Sequence, residues 1–214
     1  MSFTGATVSV PAGTVDSVDR GSFTVYTPLA ADLLYSSFTP DTTGGLPSPE
    51  VGSDWTYIVA AMFSTANGVV SASDTTSLPA INDIGVSQGY EIRGKVRYTA
   101  TLVTEYALIA FSGDSTFQNA YTLTMDGTES RIDIYTGGAP VELQATTELF
   151  IDGDDFIISV PTGGPWTVSR VRAGAEVVLM TETDTTYLAS APNTLLAIGL
   201  ATSKIGGPFV ARTI

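Results

Sequence analysis

The chain contains no cysteine and no histidine in its 214 residues. Without cysteine there is no disulfide and no thiolate metal site. Without histidine the commonest general base and the commonest transition-metal ligand are both missing. Ser-His-Asp and Cys-His mechanisms are therefore excluded, as are zincin and ordinary zinc sites. Charge is scarce: Asp, Glu, Lys and Arg make up 14%, against roughly 25% in ordinary soluble domains. The balance is acidic, 22 carboxylates to 9 cations, for a formal net charge of −13. Such a surface repels nucleic acid and anionic membrane at long range, so neither is expected as a partner.

Long apolar runs are absent too. The longest, I-V-A-A-M-F at 58–63, is strand-sized, well short of the roughly 18 residues that span a bilayer. The start, M-S-F-T-G-A-T-V-S-V-P-A-G, lacks the basic and apolar segments of a secretory signal. The expectation is a chain made in a cytoplasm and released without a cleaved signal, with no membrane insertion. Helix signals are nearly missing; A-A-D-L-L-Y at 30–35, between Pro28 and Pro40, reads as a short helical turn.

What remains is strand. β-Branched and aromatic residues alternate with polar ones, punctuated by Gly, Asp-Gly and Pro. The pattern predicts strands near 22–27, 54–63, 89–100, 105–112, 120–126, 130–136, 140–145, 154–160, 166–173, 175–181, 194–202 and 208–213. Asp126-Gly127, Ala173-Gly174 and Gly137-Gly138 stand between strand pairs as hairpin turns. From Tyr90 onward this is a meander of short antiparallel strands, the pattern of all-β sandwiches and barrels. Residues 1–50, rich in Pro, Gly and Thr, read as an extended N-terminal arm or linker with some strand content, and 51–214 as the β domain. A second Ser/Thr-rich connection is expected over 71–83.

The stretch Y-E-I-R-G-K-V-R-Y at 90–98 poses the sharpest question about surfaces. Strand side chains alternate faces, so Arg93, Lys95 and Arg97 project together while Ile92, Val96 and Tyr98 turn inward. Gly94 marks a bulge or a close backbone approach. The stripe either pairs with acids on neighbouring strands or meets an acidic partner subunit. Asp152, Asp154 and Asp155, in I-D-G-D-D-F, either form a tight turn or offer oxygen ligands to Ca²⁺, which takes about six to eight. Trp55, Tyr57 and Trp166 are the aromatics best suited to stack on sugar rings, with core burial as the competing role. Tyr121, Tyr135 and Tyr187 are candidate rim residues, and Arg170 and Arg172 read as surface.

From Gly89 to Thr202 the order of features resembles the concanavalin A-like (laminin-G-like) jelly roll. The resembling segments are G-Y-E-I-R-G-K-V-R-Y, Y-A-L-I-A-F-S-G-D, A-Y-T-L-T-M-D-G, D-G-D-D-F-I-I-S-V, W-T-V-S-R-V-R-A-G-A-E-V-V-L-M and L-L-A-I-G-L-A-T. They cover about half the chain, by pattern rather than identity. The resemblance implies a two-sheet sandwich, a bias toward glycan binding or adhesion, and Ca²⁺ at loop tips. Sandwiches of this kind also serve as modules of bacteriophage virions. Glucanases of the fold carry E-x-D-x-x-E on a strand; E-L-F-I-D-G-D-D here sets Glu148 and Asp152 at a different spacing.

These features lead to an expectation of a non-enzymatic structural component of a bacteriophage virion, a head decoration or spike, or part of a tail or fibre. It would act through contacts with copies of itself and other virion proteins, with Arg93, Lys95 and Arg97 as partner-binding residues and no catalytic residue or cofactor. The alternatives are a carbohydrate-binding module for host surface glycan and a glycoside hydrolase.

Overall fold

A computed structural model describes residues 16–17, 24–25, 29–57, 63–72, 80–97, 106–188, 193–201 and 204–214. Among them the chain forms eighteen strands and no helix. In chain order these are β1 (Asp16–Ser17), β2 (Thr24–Val25), β3 (Asp32–Ser36), β4 (Thr42–Thr43), β5 (Thr56–Tyr57), β6 (Phe63–Ala66), β7 (Val69–Ala72), β8 (Ala80–Asp83) and β9 (Tyr90–Arg97). There follow β10 (Tyr106–Gly113), β11 (Ala120–Asp126), β12 (Ser130–Thr136), β13 (Ala139–Thr146), β14 (Asp155–Val160), β15 (Trp166–Arg172), β16 (Ala175–Glu182), β17 (Leu195–Ala201) and β18 (Lys204–Thr213).

β1 and β2 pair with each other. The remaining strands form two antiparallel sheets, ordered β13-β12-β11-β10-β17-β8-β5 and β16-β15-β14-β9-β18-β7-β6-β4, with β3 also on β18. The expected two-layer all-β sandwich is the architecture found. Its core follows from alternation: Tyr90, Ile92 and Val96 on β9 face inward, fully buried, against Ile109 and Phe111 of β10 and Tyr121 and Leu123 of β11. Trp166 of one sheet meets Phe111 and Tyr121 of the other at centroid separations of 5.1 and 5.2 Å, within the range where aromatic pairs attract. Gly94 is where two rings approach the backbone. A Cβ there would lie 2.6 Å from the Phe156 ring and 3.0 Å from Phe209, so only a hydrogen fits.

Three hairpins turn through residue pairs with positive φ: Asn67-Gly68, Gly137-Gly138 and Ala173-Gly174. That geometry matches the twist of the flanking strands. Asp126 caps a slightly longer turn, its Oδ1 accepting from the amides of Thr128 and Glu129 at 2.7 and 2.8 Å.

One expectation is corrected here. Residues 32–36 are a strand, not a helical turn, because β3 lies against the C-terminal strand, with Leu34 opposite Ala211. Within 29–50, expected as arm or linker with some strand content, Leu34, Phe38 and Leu46 are buried in the sandwich core. The 71–83 connection holds a strand of its own, β8, which pairs with β17. Tyr98 and residues 58–62 lie outside the described residues.

Candidate functional site

β9 presents Glu91, Arg93, Lys95 and Arg97 on the outer face of the larger sheet. Each cation meets an acid of its own chain. Arg93 binds Glu91 through two hydrogen bonds, at 2.5 and 3.1 Å. Lys95 Nζ lies 3.0 Å from Asp155, its partner across the β9–β14 register. Arg97 lies 3.9 Å from Asp152. These exposed pairs are worth about 0–1 kcal/mol each.

The three acids weighed for Ca²⁺ diverge. Asp152 faces Arg97 and Asp155 faces Lys95. Asp154, nearly fully buried, spends both oxygens on Arg172, at 2.9 and 2.6 Å, and on the amide of Ile151 at 2.8 Å. Burial opposes its ionisation, but the Arg172 hydrogen bonds and the Ile151 amide outweigh it and hold the carboxyl below the usual range. Arg170 reaches Glu148 at 3.2 Å and the Leu149 carbonyl at 2.9 Å. Among the described residues no group of three or more Asp or Glu converges as a metal site. Glu148 and Asp152 likewise face different arginines. The pairs fall into two groups. Arg93–Glu91 and Lys95–Asp155 lie on the outer face of β9 and β14, and Arg172–Asp154 with Arg170–Glu148 lie where β15 meets the segment before β14.

The aromatics divide by burial. Trp55 and Trp166 are core residues, Trp166 donating Nε1–H to the Asp184 carbonyl at 2.9 Å. Tyr57 hydrogen-bonds the backbone of Leu46 at both N–H and C=O. Tyr187 is different. Its half-buried ring lies 5.7 Å from Tyr121, which leads inward to Phe111 and Trp166, a chain of rings running from core to surface.

Around Tyr187 three connections meet at one end of the sandwich. The first, 113–119, is organised by Asp114, which accepts from Thr116 N at 2.9 Å, Thr116 Oγ1 at 2.8 Å and Asn119 Nδ2 at 2.7 Å. The second is the 136–138 turn, where Gly137 N donates to Asn119 Oδ1 at 3.2 Å and Gly138 N to the Gln118 carbonyl at 2.9 Å. The third, 183–188, is organised by Asp184, which accepts from Thr186 N at 2.9 Å and from the Tyr121 hydroxyl. The Tyr187 hydroxyl joins them, 2.8 Å from Thr136 Oγ1 and donating to Asn119 Oδ1 at 3.3 Å. Burial works against ionisation of Asp114 and Asp184, yet their hydroxyl and amide donors prevail and hold both below the usual carboxylate range.

The backbone here is strained. Ser112 and Phe117 have φ of 47° and 52°, and the Phe117 ring sits where a Gly113 Cβ would be, 2.6 Å away. Positive φ at non-glycine residues costs energy and tends to mark sites where geometry is held for a purpose. The Gly137 and Ala173 turns owe their φ to hairpin geometry; Ser112 and Phe117 do not lie in a two-residue turn. The result is a rigid rim of hydroxyls, an amide and two anionic carboxylates beside one aromatic ring. Such a rim suits a neutral, hydroxyl-rich ligand with an apolar face. Of the tyrosines considered as rim residues, Tyr187 reaches the rim, whereas Tyr121 is fully buried beneath it. The spacing of aromatic residue, Asn-x-Tyr and Asp-x-Thr carries no signal until the loops are brought together.

No family model matches the sequence, and no curated protein matches it in sequence. Solved structures do match the fold. A carbohydrate-binding module, CBM66 of Bacillus subtilis, superposes over 83% of this chain and 98% of its own, at 10% identity and a TM-score of 0.50. The GH43 protein BlXynB of Bacillus licheniformis, as its K247S mutant, superposes at a TM-score of 0.58 and 10% identity, over 91% of this chain and 41% of its own. GH43B of the Bacteroides ovatus xyloglucan locus gives 0.58 at 14% identity, over the same shares. This chain thus spans less than half the length of the two GH43 proteins. The likeness establishes the class, a two-sheet antiparallel β-sandwich.

Proposed function

We propose that the protein is a non-catalytic carbohydrate-binding module whose ligand seats at the Tyr187 end of the sandwich. The observation that carries this is the convergence of three loops, two with carboxylates locked by their own turns, on a half-exposed tyrosine ring beside strained backbone. Sugar recognition needs fixed acceptors and donors for hydroxyls and one apolar surface for the ring face, and this rim supplies both. The matched module named for carbohydrate binding, similar over nearly its whole length, supports the reading. The virion-component reading draws on composition and on residues 1–50, part of which is sandwich core, so the glycan reading leads. Glycoside hydrolysis needs a pair of carboxyl groups on one cleft rather than histidine or cysteine, and the pair weighed for it, Glu148 and Asp152, is divided between Arg170 and Arg97.

A glycan array followed by calorimetry on the intact chain tests this. Binding at millimolar Kd or better is expected, and Tyr187→Ala should weaken it at least tenfold, about 1.4 kcal/mol, with the circular-dichroism spectrum unchanged. An array on which nothing binds, or a Tyr187→Ala variant that binds as before, refutes it.

A further inference from the structure

Tyr187 is held from beneath as well as at its tip. At the surface its hydroxyl meets Thr136 and Asn119, but its main chain is fixed by a side chain closed to solvent. Tyr121 of β11 is fully buried, and its hydroxyl stands between the two ends of the 184–187 turn. It donates to Asp184 Oδ1 and accepts from the amide of Tyr187, the latter at 3.2 Å. A phenol has one hydrogen to give and an ionised carboxylate can only accept, so the direction of both bonds is set.

Asp184 is fixed on its other sides too. Its carbonyl accepts from Nε1 of the buried Trp166, its amide donates to Glu182 Oε1 and its carboxylate receives the Thr186 amide, each at 2.9 Å. Leu188, one residue past the ring, is buried, and its amide closes the turn on the Thr185 carbonyl at 3.1 Å. The Trp166 and Tyr121 rings pack 5.2 Å apart in the core, so the two side chains that grip the turn share one rigid base. Burial works against ionisation of Asp184, and the Tyr121 hydroxyl is foremost among the donors that outweigh it. Burial and the Asp184 contact in turn push the Tyr121 hydroxyl upward, so it keeps its proton. A ring fixed before its ligand arrives has little freedom left to lose on binding.

We infer that Tyr121 is a positioning residue of the loop-end site: through one buried hydroxyl it fixes the main chain of Tyr187 and presets the ring that the sugar meets. The inference rests on the glycan-binding reading above, and two of its three readouts need no ligand. The variant is Tyr121→Phe in the full chain, which keeps the ring against Phe111, Trp166 and Tyr187 and removes only the hydroxyl. By NMR, hydrogen exchange of the Tyr187 amide should quicken about tenfold or more, with the Ile158 amide of the core protected as before. The Asp184 carboxyl, having lost a donor, should titrate at higher pH, with Asp114 unmoved. Affinity for the glycan selected on the array should fall about tenfold. Tyr121→Phe combined with Tyr187→Ala should bind no more weakly than Tyr187→Ala alone, since the hydroxyl acts through that ring. A Tyr187 amide as protected as before, an unmoved Asp184 titration, unchanged affinity, or losses that add in the double variant each overturn the inference, while Tyr187→Ala by itself still reports on the glycan site. Should no glycan bind, the glycan reading falls, and the exchange and titration readouts alone decide whether the hydroxyl holds Tyr187. If Tyr121→Phe does not melt cooperatively, Asp184→Ala cuts the same link from the loop side and is judged by the same exchange of the Tyr187 amide.

Discussion

At the scale of single residues, the chain spends its few charges on fixed pairs rather than on a free cationic patch. Asp154 is the clearest case, buried and held by both arms of the Arg172 guanidinium. Its carboxyl is depressed in the folded state, as are those of Asp114, Asp126 and Asp184. A depressed carboxyl contributes stability above its unfolded pKa, about 3.9, and that contribution is lost as pH falls through the folded value. Calorimetric Tm should therefore decline steeply below about pH 4. Asp154→Asn should be less stable at pH 7 by about 1–3 kcal/mol and show a shallower acid limb. An unchanged acid limb would place the acid sensitivity elsewhere. Gly94 gives a second residue-scale prediction. Gly94→Ala drives a methyl into the Phe156 ring, as the 2.6 Å separation requires, and overpacking of that kind costs about 1–3 kcal/mol. Combining it with Phe156→Leu should recover part of the loss in a denaturant melt; a neutral Gly94→Ala would mean the ring can step aside.

At the scale of elements, legibility divides the chain in two. From β9 onward the predicted strands agree with the observed ones to within a few residues, because they are long, rich in β-branched and aromatic residues and bounded by turn residues. β9 also alternates cleanly, whereas β11 is buried along nearly its whole length. Ile92, Val96, Phe156 and Ile158 alternate with Arg93, Lys95, Asp155 and Ser159 across one register. Earlier elements are short: β2 and β5 fall inside the strands expected at 22–27 and 54–63, while others were missed for identifiable reasons. D-L-L-Y-S has the spacing of a helical turn and becomes β3 only because β18 offers it a partner. Asn67-Gly68 is a strong hairpin pair, but the strands it joins, F-S-T-A and V-V-S-A, are four residues each and weakly patterned. β8 lies at the end of a Ser/Thr-rich stretch and is stabilised by pairing to β17, which its own sequence cannot announce. The consequence for truncation is direct. Deleting residues 1–50 removes β3 together with Leu34, Phe38 and Leu46; losing large buried side chains costs about 2–5 kcal/mol each, against a total stability of roughly 5–15 kcal/mol. The truncated chain should lack a cooperative thermal transition, and a sharp one near the full-length Tm would return those residues to the status of an arm.

At the scale of the whole molecule, the last two strands occupy the middle of the sheets: β17 between β10 and β8, and β18 between β9 and β7. β3 and β18 pair across most of the chain length. Contacts this distant in sequence must wait for costly loop closures, so folding should be slow, in milliseconds to seconds or longer. Stopped-flow refolding followed by the buried Trp55 and Trp166 would show it; a microsecond phase carrying the full amplitude would contradict the topology. The same topology brings the connections 113–119, 136–138 and 183–188 together at one end of the sandwich.

What the sequence alone determined was the class: alternation with period two, an absence of helical pattern, and a residue inventory without thiol or imidazole. Those are local properties, written in neighbours a few positions apart. What only the tertiary structure decided was which acid meets which cation, where β3 goes, and that Asp184, Tyr187 and Asn119 meet in one rim above the buried Tyr121. Those depend on pairings between strands tens of residues apart. Each such pairing is chosen by the burial of whole sheet faces, and no short stretch of sequence encodes that quantity.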